Sequence, residues 1–276
     1  MEAPYQLLAD YLRLTNQALA ALSETPDLIV WPEVAVTDVL RWRPDLRRAL
    51  HGLVEDAGAP LLFGVLEADT DEADEDEIYN TLYLFSPGGG EQRYDKTHLV
   101  PWGETIPLGE ALPWLKALVY SRGGGEMAAG RRLTRFQLPD GRVFGCLICF
   151  ESTLPNLAAR LVRGGAQFLV VATNDAWFFD TAALPQHLWA AQARALETRV
   201  PVLRAANTGI TAGIDCTGRL VGRIPDQIPG TSLVEIALPT GRPLSGYALG
   251  GDGFGWLCLL ACLGFVAVRS LGGRRA

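Results

Sequence analysis

The hydrophobic positions fall into two rhythms. Compact apolar runs bounded by Gly, Pro, Asn and Asp predict strands over 27–31 (DLIVW), 60–67, 78–86, 132–138, 143–150 (VFGCLICF), 167–173, 201–207, 211–215 and 231–238 (TSLVEIAL). Helical spacing fills 36–57, 153–163 and 184–199. The first residues also read as an amphipathic helix, with Leu8, Tyr11, Leu12, Leu19 and Leu22 near one face. Glu2, Asp10 and Arg13 interrupt that stretch, so it is not expected to be a signal peptide. Pro87–Gly90, Asp140-Gly141 and Thr217-Gly218 each mark a turn between strand-like runs. Hairpins and βαβ-like stretches together predict a layered α/β domain over 1–240, built on one mixed sheet or two sheets.

A linker is expected over 241–252, an apolar helix over 253–268 and a basic tail over 269–276. The helix, GFGWLCLLACLGFVAV, has sixteen uncharged residues and no polar face. At about 1.5 Å per residue it reaches about 24 Å, short of the ~30 Å bilayer core. Flanking arginines snorkel and make a short span workable, so a transmembrane helix is expected, with a buried terminal helix as the alternative. Arg269, Arg274 and Arg275 then favour a cytoplasmic C-terminus, with the main domain on the other side.

Composition adds little about partners. The net charge of −7 is local, because eight acidic residues lie in 67–77 (EADTDEADEDE), which reads as a solvated loop. No basic stripe points to nucleic acid. The five cysteines have no regular spacing and suggest no disulfide framework. Cys146 and Cys149 lie three apart on one strand and so face opposite sides, poorly placed to share a metal. His51, His98 and His187 show no ligand spacing, and no nucleotide-binding glycine motif is present, so no metal or cofactor is expected.

Three strand ends carry chemistry-bearing residues. Trp31-Pro32-Glu33 delivers a carboxylate to a strand tip, where α/β sheets place ligands. Tyr94–Glu104 (YDKTHLVPWGE) holds Lys96, a candidate cation for an oxyanion, then Trp102 and Glu104. Cys149-Phe150-Glu151-Ser152 puts a thiol between a strand and a helix, where a helix N-terminus would favour the thiolate. Each has an ordinary alternative: a surface Glu, a solvated strand end, a buried structural Cys.

Taken together in this order, Glu33, Lys96 and Cys149 resemble the catalytic set of the nitrilase, or carbon–nitrogen hydrolase, superfamily. DLIVWPEVAV, YDKTHLVPWGETIPL, GCLICFES, NDAWFFD and PQHLWAAQARALETRVPVLRAANTGIT resemble the apolipoprotein N-acyltransferases within it. The resemblance implies an αββα sandwich. It implies Glu33 as general base, Lys96 as oxyanion stabiliser, Cys149 as nucleophile and Glu104 as a second functional glutamate. Phe150 and Glu151 match the pair after the nucleophile, with Phe150 lacking the hydroxyl of the Tyr often found there. Phe179 stands where Gly is common. Trp102 and Trp177 are expected at the substrate site, and 107–120 with Trp177–Phe179 as lid or membrane-touching loops.

The implied reaction moves a fatty acyl chain from a phospholipid, through a Cys149 thioester, to the N-terminal amine of a diacylglyceryl-cysteine apolipoprotein. The implied place is the bacterial inner membrane, with the catalytic domain on the periplasmic side. Against the family pattern, the chain opens directly in a helix. It is expected to be a C-terminal portion lacking an N-terminal membrane bundle and the first strand of the sandwich. Two other readings stay open: a soluble amidase or nitrilase acting on a small amide or nitrile, and a non-enzymatic remnant whose triad is not assembled.

Overall fold

A computed structural model describes residues 3–69, 77–109, 111–120, 126–224, 228–239 and 244–272. Two sheets lie face to face. The first contains β1 (Ile29–Val30), β2 (Val36–Val39), β3 (Leu61–Ala68), β4 (Ile78–Ser86) and β5 (Gly90–Asp95). β1 and β2 both run parallel to β3, and β3, β4 and β5 form an antiparallel meander. The second contains β6 (Arg135–Gln137), β7 (Val143–Ile148), β8 (Phe168–Asn174), β9 (Val202–Asn207), β10 (Ala212–Ile214) and β11 (Leu220–Arg223), in the order β11-β10-β9-β8-β7-β6. Its centre, β7-β8-β9, is parallel, as helical crossovers require.

The helices cover the two outer faces. α1 (Ala3–Ala21) and α2 (Pro44–Ala57) lie on the first sheet. Pro44 opens α2 and Gly58, at φ +61°, closes it. Leu8, Tyr11 and Leu12 of α1 pack beside Trp31, whose indole stacks on Tyr11 and donates to Thr15 Oγ1 at 2.9 Å. On the second sheet lie α4 (Pro155–Arg163) and α5 (Ala183–Thr198), with α3 (Pro113–Tyr120) in the preceding loop region. Leu157, Ala158, Leu161 and Val162 form the buried stripe of α4, the pattern that predicted it. Gly145 of β7 lets α4 approach, since a Cβ there would lie 2.8 Å from Leu161. A third apolar cluster, including Leu62, Leu82, Leu84, Phe144, Ile148 and Val170, fills the space between the sheets. The layers are therefore α, β, β, α, as expected.

Four expectations are corrected. The helical pattern at 36–57 starts as strand β2 and a 3-10 turn, so the helix proper runs only from Pro44. TSLVEIAL (231–238) joins no sheet, although Ile236 and Leu238 pack against the inter-sheet cluster. Of the acidic run, 70–76 falls outside the described residues, but Glu67 is not a loop residue. It is buried in β3 and accepts from Tyr83 Oη at 2.7 Å, Ala68 N at 3.0 Å and Arg41 N at 3.1 Å. The expected linker falls outside the described residues at 241–243. At Gly246–Gly250 it forms α6, capped by Ser245 Oγ on Ala248 N at 2.9 Å and packed on α4 and α5.

The apolar C-terminal run does form a helix, α7 (Gly253–Gly272), whose described side chains are exposed. No helix among the described residues is long and apolar enough to cross a membrane. The expected span is thus met only as far as an exposed apolar helix, with Arg269 entering its last turn.

Candidate active site

β1, β5, β7 and β8 point the same way within their sheets, and the expected residues lie just beyond their C-terminal ends. Glu33 follows β1 and is buried. Its Oε1 accepts from Asn80 Nδ2 at 2.7 Å and its Oε2 from Asn174 N at 2.6 Å. Gly64 of β3 makes room for this turn: a Cβ there would sit 2.4 Å from Val34 N and 2.5 Å from Pro32 O. Lys96, directly after β5, is 0 % exposed. Its Nζ lies 2.7 Å from Glu104 Oε1 and 3.5 Å from Glu33 Oε1. Glu104 is steadied by Val100 N at 2.8 Å and shares Asn80 Nδ2 at 3.3 Å.

Cys149 opens a 3-10 turn, Cys149–Thr153, and not the α-helix; α4 begins at Pro155. The expected helix-dipole activation of the thiol is therefore absent. Burial, then the negative charge of Glu33, pushes the thiol up to about 12, against the opposing pull of Lys96 and the neighbouring Thr173 hydroxyl. The resting group is a neutral thiol. Burial likewise raises Glu33 above the usual carboxylate value, opposed by Lys96, Asn80 and Asn174. Burial disfavours the Lys96 ammonium, but Glu33, Cys149 and Glu104 outweigh it and hold its pKa above that of an ordinary lysine. The three groups form one electrostatic unit: a carboxylate that accepts protons more readily than usual, a fixed cation and a protonated thiol.

Of the other expected residues, Glu151 is buried and acts as a staple. Tyr94 Oη, Thr97 N and Oγ1 and His98 N donate to it from one side at 2.8–3.0 Å, and Ile148 N donates from the other at 2.9 Å. It ties the Cys149 turn to the segment carrying Lys96. Phe150 is half-buried beside the nucleophile. Trp102 and Trp177 are exposed, as are Leu108, Trp114 and Phe179, so they are surface groups and not part of the buried cluster. Phe179 has φ +48° and ψ −150°, a conformation that favours Gly.

Sequence reasoning missed a second buried layer. Asp175 Oδ1 meets His187 Nδ1 at 2.8 Å, Arg204 Nη2 reaches Asp175 Oδ2 at 2.5 Å, and His187 Nε2 faces Ser152 Oγ at 2.9 Å. These residues come from the end of β8, from α5, from β9 and from the Cys149 turn, so no local spacing announces them. The available signals were the polar Asn174-Asp175 pair ending an apolar strand and two of the quoted motifs, which contain Asp175, His187 and Arg204. Donor atoms of Cys149, Asp175 and His187 lie within 4.8 Å of one another, a set able in principle to hold a metal. A cation there would meet the Arg204 guanidinium, which lies 3.3 Å from His187 Nδ1, and donors already engaged in hydrogen bonds. The fit to a metal is poor.

A profile of the carbon–nitrogen hydrolases matches residues 3–245. The apolipoprotein N-acyltransferase of Geobacter metallireducens is 36% identical over 273 residues, covering 98% of this chain and 50% of that protein. That of Agrobacterium fabrum is 37% identical over 218 residues, covering 78% of this chain and 41% of that protein. The chain spans about half the length of these curated relatives or less. Among solved structures, Saccharomyces cerevisiae Nit3, of the nitrilase superfamily, superposes with a TM-score of 0.61 at 18% identity over 81% of each chain, a likeness of fold.

Proposed function

The chain belongs to the carbon–nitrogen hydrolase family, and from that premise we propose that it is the catalytic part of an apolipoprotein N-acyltransferase. Glu33, Lys96 and Cys149 are the proposed base, oxyanion cation and nucleophile, and the observation that carries the reading is their junction. Glu33 and Lys96 lie 3.5 Å apart beside a thiol that both of them perturb. The relatives' names supply the acceptor class.

Glu33 removes the thiol proton as sulfur attacks the ester carbonyl of a phospholipid acyl chain. Lys96, anchored by Glu104, faces the developing oxyanion in a dry site, where a fixed charge acts strongly. Collapse breaks the ester bond; the leaving lysophospholipid oxygen takes the proton from Glu33, and a Cys149 thioester remains. The neutral amine of the apolipoprotein's lipidated cysteine then attacks. Glu33 takes its proton and returns it to the departing thiolate, leaving an amide.

The domain division expected from sequence, 1–240, 241–252, 253–268 and 269–276, is kept in this reading with two changes: Gly246–Gly250 of the linker is helical, and the apolar helix runs on to Gly272. The apolar α7 and the arginines behind it would seat the chain in the bacterial cytoplasmic membrane. The catalytic domain would lie on the periplasmic side and the C-terminus in the cytoplasm. The exposed Trp102, Trp177 and Phe179 would meet lipid. Membrane helices from outside this chain would be partners in that seating.

The test is acyl-thioester trapping in detergent with a labelled-acyl phospholipid, followed by intact mass. A hydroxylamine-sensitive adduct that is lost in Cys149→Ala, and discharged by a lipopeptide with a free N-terminal amine, supports the proposal. Hydrolysis of small amides without any lipid adduct would overturn it in favour of an amidase.

A further inference from the structure

Cys149 has φ +50°, in the left-handed region that non-glycine residues seldom occupy. Something must hold it there, and its carbonyl oxygen shows what does. That oxygen receives Ser152 Oγ–H at 2.8 Å and faces His187 Nε2 at 3.1 Å. A carbonyl only accepts, so Nε2 is the donor in this contact, and because the Asp175 carboxylate facing Nδ1 also only accepts, the two contacts together call for a proton on both ring nitrogens. Behind the imidazole, Nδ1 rests on Asp175 Oδ1. Asp175 is fixed in turn by Thr173 Oγ1 at 2.8 Å and by Arg204, whose Nε donates to Ile210 O at 3.0 Å. The arrangement needs Gly209, where a Cβ would lie 2.3 Å from Asp175 Oδ2. Ser152, Thr173, Asp175, His187 and Arg204 are all buried.

Proximity of Cys149, His187 and Asp175 invites a reading as a Cys–His–Asp relay. The directions of the bonds argue otherwise, because Nε2 is aimed at the backbone oxygen and at Ser152. We propose that His187, braced by Asp175 and Arg204, is a positioning residue. Its Nε2–H grips the Cys149 carbonyl, holds the nucleophile in its left-handed conformation and so aims the thiol at the Glu33–Lys96 pair. Proton transfer stays with Glu33. The inference rests on Cys149 being the nucleophile of the proposed reaction.

The experiment compares wild type, His187→Leu, His187→Gln and Ser152→Ala in the full chain. Alkylation of Cys149 by iodoacetamide is followed by peptide mass spectrometry, which separates it from the other four cysteines, and folding by thermal melts. This readout needs no acyl donor. Acylation by phospholipid is measured in parallel. His187→Leu should slow both by about tenfold to a hundredfold, the scale of a small misplacement of a reacting group, with the loss in kcat and not in KM. His187→Gln, which keeps a donor, should recover much of the rate; Ser152→Ala should give a smaller loss. If His187→Leu does not melt cooperatively, Ser152→Ala and His187→Gln decide. Wild-type alkylation and acylation rates in the folded variants would overturn the inference, as would a Gln variant no better than a folded Leu one. A His187-dependent alkylation rate with no acyl adduct even in wild type would leave the positioning role standing and reject the acyltransferase reading.

Discussion

Lys96 is a buried cation between two carboxylates, and its removal separates charge balance from chemistry. Lys96→Met would leave Glu33 and Glu104 facing each other without a counter-ion. Breaking a buried ion pair in this way costs roughly 3–5 kcal/mol, measurable by urea unfolding. Acylation should fall by about 10²–10³. Adding Glu104→Gln should restore stability but not the acyl adduct, because the oxyanion cation is still missing. Glu33 makes a pH prediction. Its carboxyl is raised by burial and lowered in part by the Asn80 hydrogen bond. The rate of acylation should therefore rise with pH along a limb centred above the usual carboxylate value, and Asn80→Ala should move that limb to still higher pH. Stability follows the opposite sign. A carboxyl whose folded-state pKa is raised supports the native state below its unfolded value, and that support is lost as pH rises through the folded value.

Among the elements, the turns that present the site were harder to read than the strands that carry it. VFGCLI was legible as β7 because apolar runs bounded by turn residues leave few alternatives. The geometry of the Cys149 turn was not, since it depends on Glu151 reaching across to 94–98, contacts 53 to 57 residues distant in sequence. The same holds for the Asp175–His187–Arg204 layer, which three separate elements assemble. Phe179 illustrates a different case: the family resemblance implied a Gly at its position, and the backbone adopts a Gly-like conformation there. Glu151→Ala would leave the Thr97, His98 and Ile148 N–H groups without their acceptor, Ile148 in a buried setting and the other two in a partly buried one. Unsatisfied buried donors cost roughly 1–3 kcal/mol each. The expected outcome is a loss of several kcal/mol in unfolding experiments, together with weaker coupling between Cys149 and Lys96. Glu151→Gln, which keeps one acceptor oxygen, should lose less. Equal losses for the two variants would mean that the staple acts only by filling space.

At the scale of the whole molecule, the layered fold is unevenly closed. β8 is sealed on both sides, in register with β7 and β9, and its inward and outward faces feed two different apolar clusters. Beside it, a cavity of about 970 Å³ lies among α1, β1, β9, Phe168 at the start of β8 and the 228–238 segment. The N–H groups of Ile29 and Trp31 donate toward β3, so by strand alternation that of Val30 points to the cavity side. Leu28, Val30, Leu203, Ile236 and Leu238 close the inter-sheet core there only in part. TSLVEIAL was expected to be a strand as a compact apolar run; among the described residues it pairs with no strand, and an apolar run alone does not supply a partner. Local stability should track this asymmetry. In native-state hydrogen exchange, amides of 231–238 should exchange within minutes while those of Val170–Ala172 stay protected for hours. Lowering the urea concentration needed to expose β8, for example by a destabilising change such as Leu147→Ala, should leave the 231–238 rates unchanged, because that segment already opens without unfolding the core. Protection of 231–238 equal to that of β8 would show instead that the segment is held by backbone bonds and that the sandwich closes as a single cooperative unit.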